Sequence, residues 1–341
     1  MTLYDQRINK LFNYWILLNL TLILIMIIVG GLTRLTDSGL SITKWELFSG
    51  ILPPFDNSTW EAYFNLYKQI PQYEIINPTM TLNEFKVIFF WEYIHRMLGR
   101  IIGLCFVLPL LYFHLKKKIK FRYLRPYYIV AFLIILQGIV GWYMVKSGLV
   151  NDVTVSHYRL SLHLFLAVAI ISVLFWQYKN FLNKSVKSFF YFSKKNIPYQ
   201  LLIYIIFFQI IFGAFVSGLD AGKIYQTWPL MGLNYIPNDL IINNFFDLYD
   251  FNNHCLVQFY HRNIAYVITI YIFILGFYIF KKNEKKLFSS LYILFFFLIS
   301  QVSLGIFSLL SNLNIYIASG HQIISVILVL SALNLYYSAI K

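Results

Sequence analysis

The chain alternates between long apolar runs and shorter polar segments. A helix that crosses the hydrocarbon core of a bilayer, about 30 Å thick, needs about 20 mostly apolar residues. Eight runs meet this requirement: residues 12–32, 87–113, 127–146, 156–176, 199–217, 256–280, 287–310 and 315–338. The pattern therefore predicts an all-α integral membrane protein with eight transmembrane helices.

The beginning of the chain fits this interpretation. Residues 1–10 are mildly basic, and the apolar run that follows is longer than the hydrophobic region of a cleaved secretory signal. No Arg/Ser-rich amphipathic presequence precedes it. We therefore expect a first transmembrane helix here, in a bacterial rather than an organellar protein.

The composition excludes most classes of soluble protein. Of the 341 residues, 59% are hydrophobic and 12% are charged, which is about half the charged fraction of a soluble domain. A soluble globule of this size cannot bury so much apolar surface and still cover itself with polar groups. A disordered chain, a disulfide scaffold and a soluble nucleic-acid-binding domain are therefore excluded.

The basic charge indicates how the chain is oriented. The formal net charge is +14, and 18 of the 28 Lys and Arg residues fall on the segments that are cytoplasmic if the N-terminus is inside. Only Asp5 and Glu284 accompany them among the acidic residues. This positive-inside pattern predicts cytoplasmic N- and C-termini in a bacterial inner membrane. It also predicts affinity for anionic lipid rather than for nucleic acid.

An internal repeat divides the chain into two halves. Two long segments on the predicted outer side, residues 33–86 and 218–255, follow the first and the fifth run. Several landmarks recur in the same order: Gly30-Gly31 with Gly213-Ala214, Glu92 to Arg96 with Gln258 to Arg262, Gln137 to Trp142 with Gln301 to Ile306, and His163 with His321. The repeat predicts two pseudo-symmetric four-helix bundles, residues 1–195 and 196–341.

Four histidines are expected at one depth. His95, His163, His261 and His321 each lie a few residues into a run that enters from the outer side, on the order of 10 Å below the surface. An ionisable group in hydrocarbon is costly and marks a functional site by default, although a single one can simply join two helices. Two facing imidazoles in a bundle can bind a heme iron axially. Bare zinc is disfavoured, since further Asp or Cys ligands are missing at this depth.

Arginines accompany two of these histidines. Arg96 and Arg262 each follow a histidine directly, and Arg100 lies on the same helix face as Arg96. Guanidinium groups suit the carboxylates of heme propionates. The alternative is that these side chains extend to the membrane interface without binding a ligand.

The two halves differ in one acidic residue. Glu92 precedes His95 by three residues, whereas Gln258 takes the same place before His261. Residues three apart share a helix face, so Glu92 could move protons or stabilise a cationic intermediate beside a cofactor. This predicts chemistry in the first half. The alternative is that Glu92 pairs with Arg96 or Arg100 at the interface.

Seven short motifs follow one another along nearly the whole chain. They are Gly30 to Thr36 with Ser38 to Ser41 and Lys44-Trp45; Glu92 to Arg96 with Gly99-Arg100; Gln137-Gly138 with Gly141-Trp142; His163-Leu164; Gly218 to Gly222 with Trp228-Pro229; Gln258 to Arg262; and Gly320 to Gln322. With these motifs in this order, the chain resembles the heme A synthase family, in its mitochondrial-type branch.

The resemblance implies an oxidoreductase that converts heme O to heme A, for heme-copper cytochrome oxidase, by oxidising the C8 methyl group to a formyl group. It implies that His95 and His163 bind the substrate heme and that Glu92 is the essential carboxylate. It further implies that His261 and His321 bind a heme b cofactor through which electrons leave. The upstream partner would be heme O synthase.

Two other functions compete with this one. A diheme b-type membrane electron-transfer protein would use all four histidines for permanent hemes and would tolerate Glu92→Gln. A transporter would need matched helix-breaking residues in mid-span, and only Pro109 is a candidate. The sequence leaves a homo-oligomer open.

Overall fold

A computed structural model describes residues 3–44, 49–117, 119–149 and 153–340. Trp45 of the Lys44-Trp45 motif therefore lies outside the described residues. Ten α-helices occur in the described part: α1 (Leu3–Leu35), α2 (Asn57–Tyr67), α3 (Pro71–Ile75), α4 (Leu82–Leu115), α5 (Phe121–Gly148), α6 (His157–Leu182), α7 (Ile197–Gly218), α8 (His254–Lys281), α9 (Lys285–Leu310) and α10 (Ile315–Ala339).

Eight of these helices are long and apolar enough to cross a membrane, namely α1 and α4 to α10. They confirm the eight predicted spans, and the chain is a multi-pass membrane protein. Several helices extend beyond the apolar runs. For example, α4 begins five residues early because Thr81 and Glu84 form a capping box, in which the Glu84 carboxylate accepts from the Thr81 N–H at 2.8 Å. Hydropathy marks only the part of a helix that meets lipid.

The chain divides into two compact units, Met1–Ile171 and Ser172–Lys341, and the boundary falls within α6. In the first unit, α4 packs against both α1 and α5. In the second, α7, α8, α9 and α10 each contact two neighbours and close a four-helix ring. The predicted boundary at residue 195 and the pseudo-symmetric relation of the two halves stay predictions.

The first long segment between spans is folded rather than an open loop. Helix α2 packs its aromatic face on the first turns of α4, and the rings of Trp60 and Phe89 meet edge to face at 4.9 Å. The buried Tyr67 hydroxyl donates to Gln72 Oε1 at 3.1 Å, and the Gln72 amide donates to the Asp37 carbonyl at 3.1 Å. We call residues 36–81 the cap. Its aromatic core attaches it to α4, and these polar bonds join its own parts to one another.

The cap should depend on the ring of Phe85, which is completely buried. Phe85→Ala is expected to lower the free energy of unfolding by about 3–5 kcal/mol. Phe90→Ala on the same helix should cost less than about 1 kcal/mol, because Phe90 is 42% exposed. Thermal unfolding of detergent-solubilised protein and protease cleavage within the cap measure both. Equal effects of the two variants would show that the cap is not packed on Phe85.

Candidate functional site

The four histidines at matched positions form two pairs. The ring centroids of His95 on α4 and His163 on α6 lie 6.4 Å apart. Those of His261 on α8 and His321 on α10 also lie 6.4 Å apart. Each pair lies within one unit. The structure therefore brings together the imidazoles that the sequence paired.

A glycine on a neighbouring helix lies against each imidazole. A Cβ atom built on that glycine would come 2.9–3.2 Å from the ring carbon Cε1, closer than side chains normally pack. The pairs are Gly30 with His95, Gly141 with His163, Gly213 with His261, and Gly305 with His321. The missing side chain is therefore what admits each ring between the helices.

A glutamine contacts three of the four histidines. The Gln137 amide donates to the His163 carbonyl at 3.0 Å, and the Gln209 amide donates to the His261 carbonyl at 2.9 Å. The Gln301 amide lies 3.3 Å from Nε2 of His321, whose Nδ1 lies 3.1 Å from the Gln301 carbonyl. These bonds join the histidine helices to the helices beside them.

The sequence analysis missed Gln209 and the part played by the glycines. A signal was present, because glutamine precedes the contacting glycine by four residues three times: Gln137 and Gly141, Gln209 and Gly213, Gln301 and Gly305. Residues four apart lie on the same helix face. The spacing could not show that this face turns toward a histidine, since that depends on how the helices pack.

The residues of each pair fit a heme iron. Metal–nitrogen bonds of about 2 Å on opposite sides of one iron place two imidazole centroids roughly 6 Å apart, close to the distances found. The Nδ1 atoms of His95, His163 and His261 are buried and have no hydrogen-bond partner in the described part of the chain. Among the described residues, no three His, Cys, Asp or Glu side chains come together as a metal site. Two imidazoles per site suit a porphyrin, which supplies the remaining ligands.

Glu92 is buried, with 3% of its surface exposed, and it has several donors. Its Oε2 accepts from the Ser41 hydroxyl at 2.7 Å and from the Ile42 N–H at 2.8 Å. Its Oε1 forms an ion pair with Arg96, from which two nitrogens approach to 2.5 and 3.1 Å. Arg96 also donates to the Ile42 carbonyl at 2.9 Å. The pairing with Arg96 expected as the alternative is present within α4. The bonds of Glu92 and Arg96 to Ser41 and Ile42 join α4 to the start of the cap.

In the second unit, α8 is also bonded to the segment that precedes it, but without a carboxylate. The Gln258 amide donates to the Tyr225 carbonyl at 2.9 Å. The Arg262 guanidinium donates to the carbonyls of Tyr225, Thr227 and Leu230 at 2.8, 2.8 and 3.2 Å. Arg262 therefore fastens α8 to the segment that precedes it, and its charge has no acidic partner among these bonds.

Beside Glu92, three cationic side chains line one cleft. The wall of this cleft includes Lys44, Arg96, Arg100, Tyr63 and Tyr93. The structure thus brings Arg96 and Arg100 to one surface, as their spacing predicted. Three cationic side chains on one wall suit an anionic group.

A second, shallower cleft lies beside Arg262 in the second unit. Its wall includes Tyr235, Phe259 and Asn263 and contains no second cation. The Tyr235 hydroxyl is hydrogen-bonded to the Asn263 amide oxygen. The anion-binding character is therefore stronger in the first unit.

Known proteins resemble this chain along most of its length. The profile of the COX15-CtaA family, described as cytochrome oxidase assembly protein, matches residues 13–333. A heme A synthase of Pelagibacter ubique is 47% identical over 95% of this chain and 94% of its own length. Heme A synthases of Rickettsia bellii and Rickettsia felis are 44% and 42% identical, over 98% and 94% of this chain and 99% and 95% of their own lengths.

The Glu92–Arg96 ion pair should dominate the stability of the contact between α4 and the start of the cap. Arg96→Met leaves the Glu92 carboxylate buried without a cation, which is expected to cost about 3–5 kcal/mol. The double variant Glu92→Gln/Arg96→Met should recover most of this loss, since it buries no unpaired charge. Thermal unfolding of the wild type, Glu92→Gln, Arg96→Met and the double variant gives the double-mutant cycle that measures the pairing. A double variant as unstable as Arg96→Met would contradict the pairing.

Proposed function

We propose that this chain, which belongs to the COX15-CtaA family of cytochrome oxidase assembly proteins, catalyses the synthesis of heme A. It is an oxidoreductase that converts the C8 methyl group of heme O to a formyl group, and its product serves heme-copper cytochrome oxidase. The observation that carries the proposal is that two histidine pairs each have ring centroids 6.4 Å apart. Among the described residues, a buried glutamate, Glu92, lies three residues before a histidine of the first pair, whereas Gln258 has this place in the second.

The first unit binds the substrate. His95 and His163 would hold the iron of heme O, which would fix the porphyrin edge relative to α4. Arg96 and Arg100 bind propionate carboxylates from the adjoining cleft. Rigid positioning of a reacting carbon beside the groups that act on it is a large part of catalysis.

Glu92 acts as an oriented negative charge. Its two oxygens already accept from Ser41, Ile42 and Arg96, so accepting a proton would require one of these bonds to break. In this arrangement Glu92 stabilises positive charge that develops at the substrate methyl carbon. The ion pair and the cap fix the carboxylate before the substrate binds.

The second unit binds a heme b cofactor through His261 and His321. When bound, this heme supplies a one-electron acceptor for the electrons that leave the substrate. Gln258 replaces the glutamate, and Arg262 fastens the segment of residues 225–230 over α8. These bonds fix the segment over α8 without a carboxylate, which suits a cofactor that stays in place.

The alternative, a diheme electron-transfer protein, is not favoured. Such a carrier needs no carboxylate in one half alone, and the relatives described above are heme A synthases over nearly their whole length. A heme O synthase in the same membrane would supply the substrate. The bacterial relatives support a location in the inner membrane, and the charge pattern supports cytoplasmic termini.

Pigment analysis tests the function directly. Protein purified from cells that supply heme O should yield heme A or its hydroxylated precursor by chromatography and mass spectrometry. Glu92→Gln should bind heme but form neither product, because the oriented charge is lost. His261→Ala and His321→Ala should each lose heme b. A wild-type protein that yields only heme b under these conditions would contradict the proposal.

The glycine contacts should control heme content. Gly141→Ala places a methyl group 2.9 Å from the His163 ring and should displace it, so the first site is expected to lose most of its heme. Gly138→Ala on the same helix is a matched control, since a Cβ there meets nothing within 4 Å. The ratio of heme to protein in purified samples measures the difference. Equal heme content in both variants would rule out the steric role of Gly141.

A further inference from the structure

One wall of the cationic cleft is an apolar segment of the cap, residues 50–55, which we call the rim segment. Leu52 of this segment lines the cleft together with Arg100. The rim segment contains no charged residue. Its large side chains are exposed: Ile51 by 42%, Leu52 by 68% and Phe55 by 78%. Neighbouring apolar side chains that are exposed together mark a contact surface.

The contacts of the rim segment place it beside the lipid-facing part of α4. The Tyr93 hydroxyl donates to the Ile51 carbonyl at 2.6 Å. Tyr93 lies six residues into the apolar run 87–113, about 9 Å along the helix axis. On both sides of Tyr93, α4 exposes large apolar side chains, as a helix in lipid does: Val87, Phe90, Ile94, Ile101 and Leu104. The rim segment is therefore at the level of the hydrocarbon, in the leaflet on the side of the cap.

The backbone of the rim segment suits this place. Non-helical backbone in lipid is costly because its N–H and C=O groups find no water to bond. Pro53 and Pro54 have no N–H group, and the Ile51 carbonyl accepts the bond from Tyr93. The segment thus presents apolar side chains and few backbone donors.

We propose that the rim segment is immersed in this leaflet and that the cleft opens to lipid beside Leu52, so that the substrate enters sideways from the bilayer. The inference rests on the proposed function, in which the substrate is heme O, an amphiphile with carboxylates and an apolar prenyl tail. The cations of the cleft attract the carboxylates. The tail stays in lipid along the rim segment while the porphyrin moves toward His95 and His163.

Spin labels test the immersion without reference to activity. A nitroxide is attached to Leu52→Cys in the full-length protein in lipid vesicles, after Cys105→Ser and Cys255→Ser have removed the native thiols. Collisions with oxygen report lipid, and collisions with a water-soluble nickel chelate report water. The label at position 52 should favour oxygen, like a reference label on Leu108→Cys, whose side chain is exposed on α4.

Ile75 provides the matched control. It belongs to the same cap and is 70% exposed, close to the value of Leu52. Its helix, α3, packs through Tyr73 on Phe64, whose ring lies against Phe85 in the first turn of α4. This level precedes the apolar run of α4, so a label on Ile75→Cys should favour the nickel chelate.

Heme uptake tests the route. Ferric heme b is the probe, and it is added to vesicles that contain the heme-free, full-length protein. The absorbance that His163→Ala removes reports the first site. Leu52→Asn should slow its appearance on the order of tenfold, because a polar amide is unfavourable in lipid and withdraws the rim segment. Asparagine adds no charge to the cleft. Ile75→Asn should take up heme at the rate of the wild type.

The outcomes separate the two proposals. A label at position 52 that favours the nickel chelate as strongly as one at position 75 would overturn the immersion and leave the proposed function standing. Equal uptake by the wild type and Leu52→Asn would overturn the lateral route, and so would equal slowing by Leu52→Asn and Ile75→Asn. If the cysteine-free protein does not fold, the uptake comparison decides, since it keeps both cysteines. A wild-type protein without His163-dependent absorbance would overturn the proposed function, whereas the spin labels would still test the immersion.

Discussion

The close approach of a glycine backbone to each imidazole is the contact on which both sites depend. In lipid, helices associate through tight packing and hydrogen bonds rather than through exclusion of water, so small residues decide where two backbones can meet. At Gly30, Gly141, Gly213 and Gly305 that closeness is used to admit an imidazole instead of another helix side chain. Each ring is thereby enclosed on one side, and a glutamine contacts the backbone or the ring of three of these histidines.

The outer segments are part of the same construction. Arg96 and Arg262 lie directly after the paired histidines, and each bonds to the backbone of the segment that precedes its helix. The paired histidine and the arginine that anchors the outer segment are thus adjacent on the helix. In the first unit the anchor contains a buried ion pair, so the cap and the Glu92 carboxylate are fixed together.

Burial explains why Glu92 is suited to electrostatic stabilisation rather than to free exchange of protons. A buried charge must be paired and hydrogen-bonded to be tolerated, and Glu92 meets this requirement through Ser41, the backbone of Ile42 and Arg96. Gln258 occupies the equivalent place at much lower cost, because an amide needs no counter-charge. The difference between the two units is therefore one of electrostatics built on the same local architecture.

The sequence by itself determined the eight membrane helices and the two histidine pairs, because hydrocarbon imposes a minimum apolar length and makes each intramembrane imidazole conspicuous. It also indicated that Glu92 is the chemical difference between the two halves, but it did not show that Ser41 and Ile42 of the cap bind Glu92 together with Arg96. Tertiary structure alone decided the folding of the cap, the glycine behind each ring and the glutamine contacts. Those features depend on which helix faces meet, and a run of apolar residues carries too little periodic information in lipid to specify them.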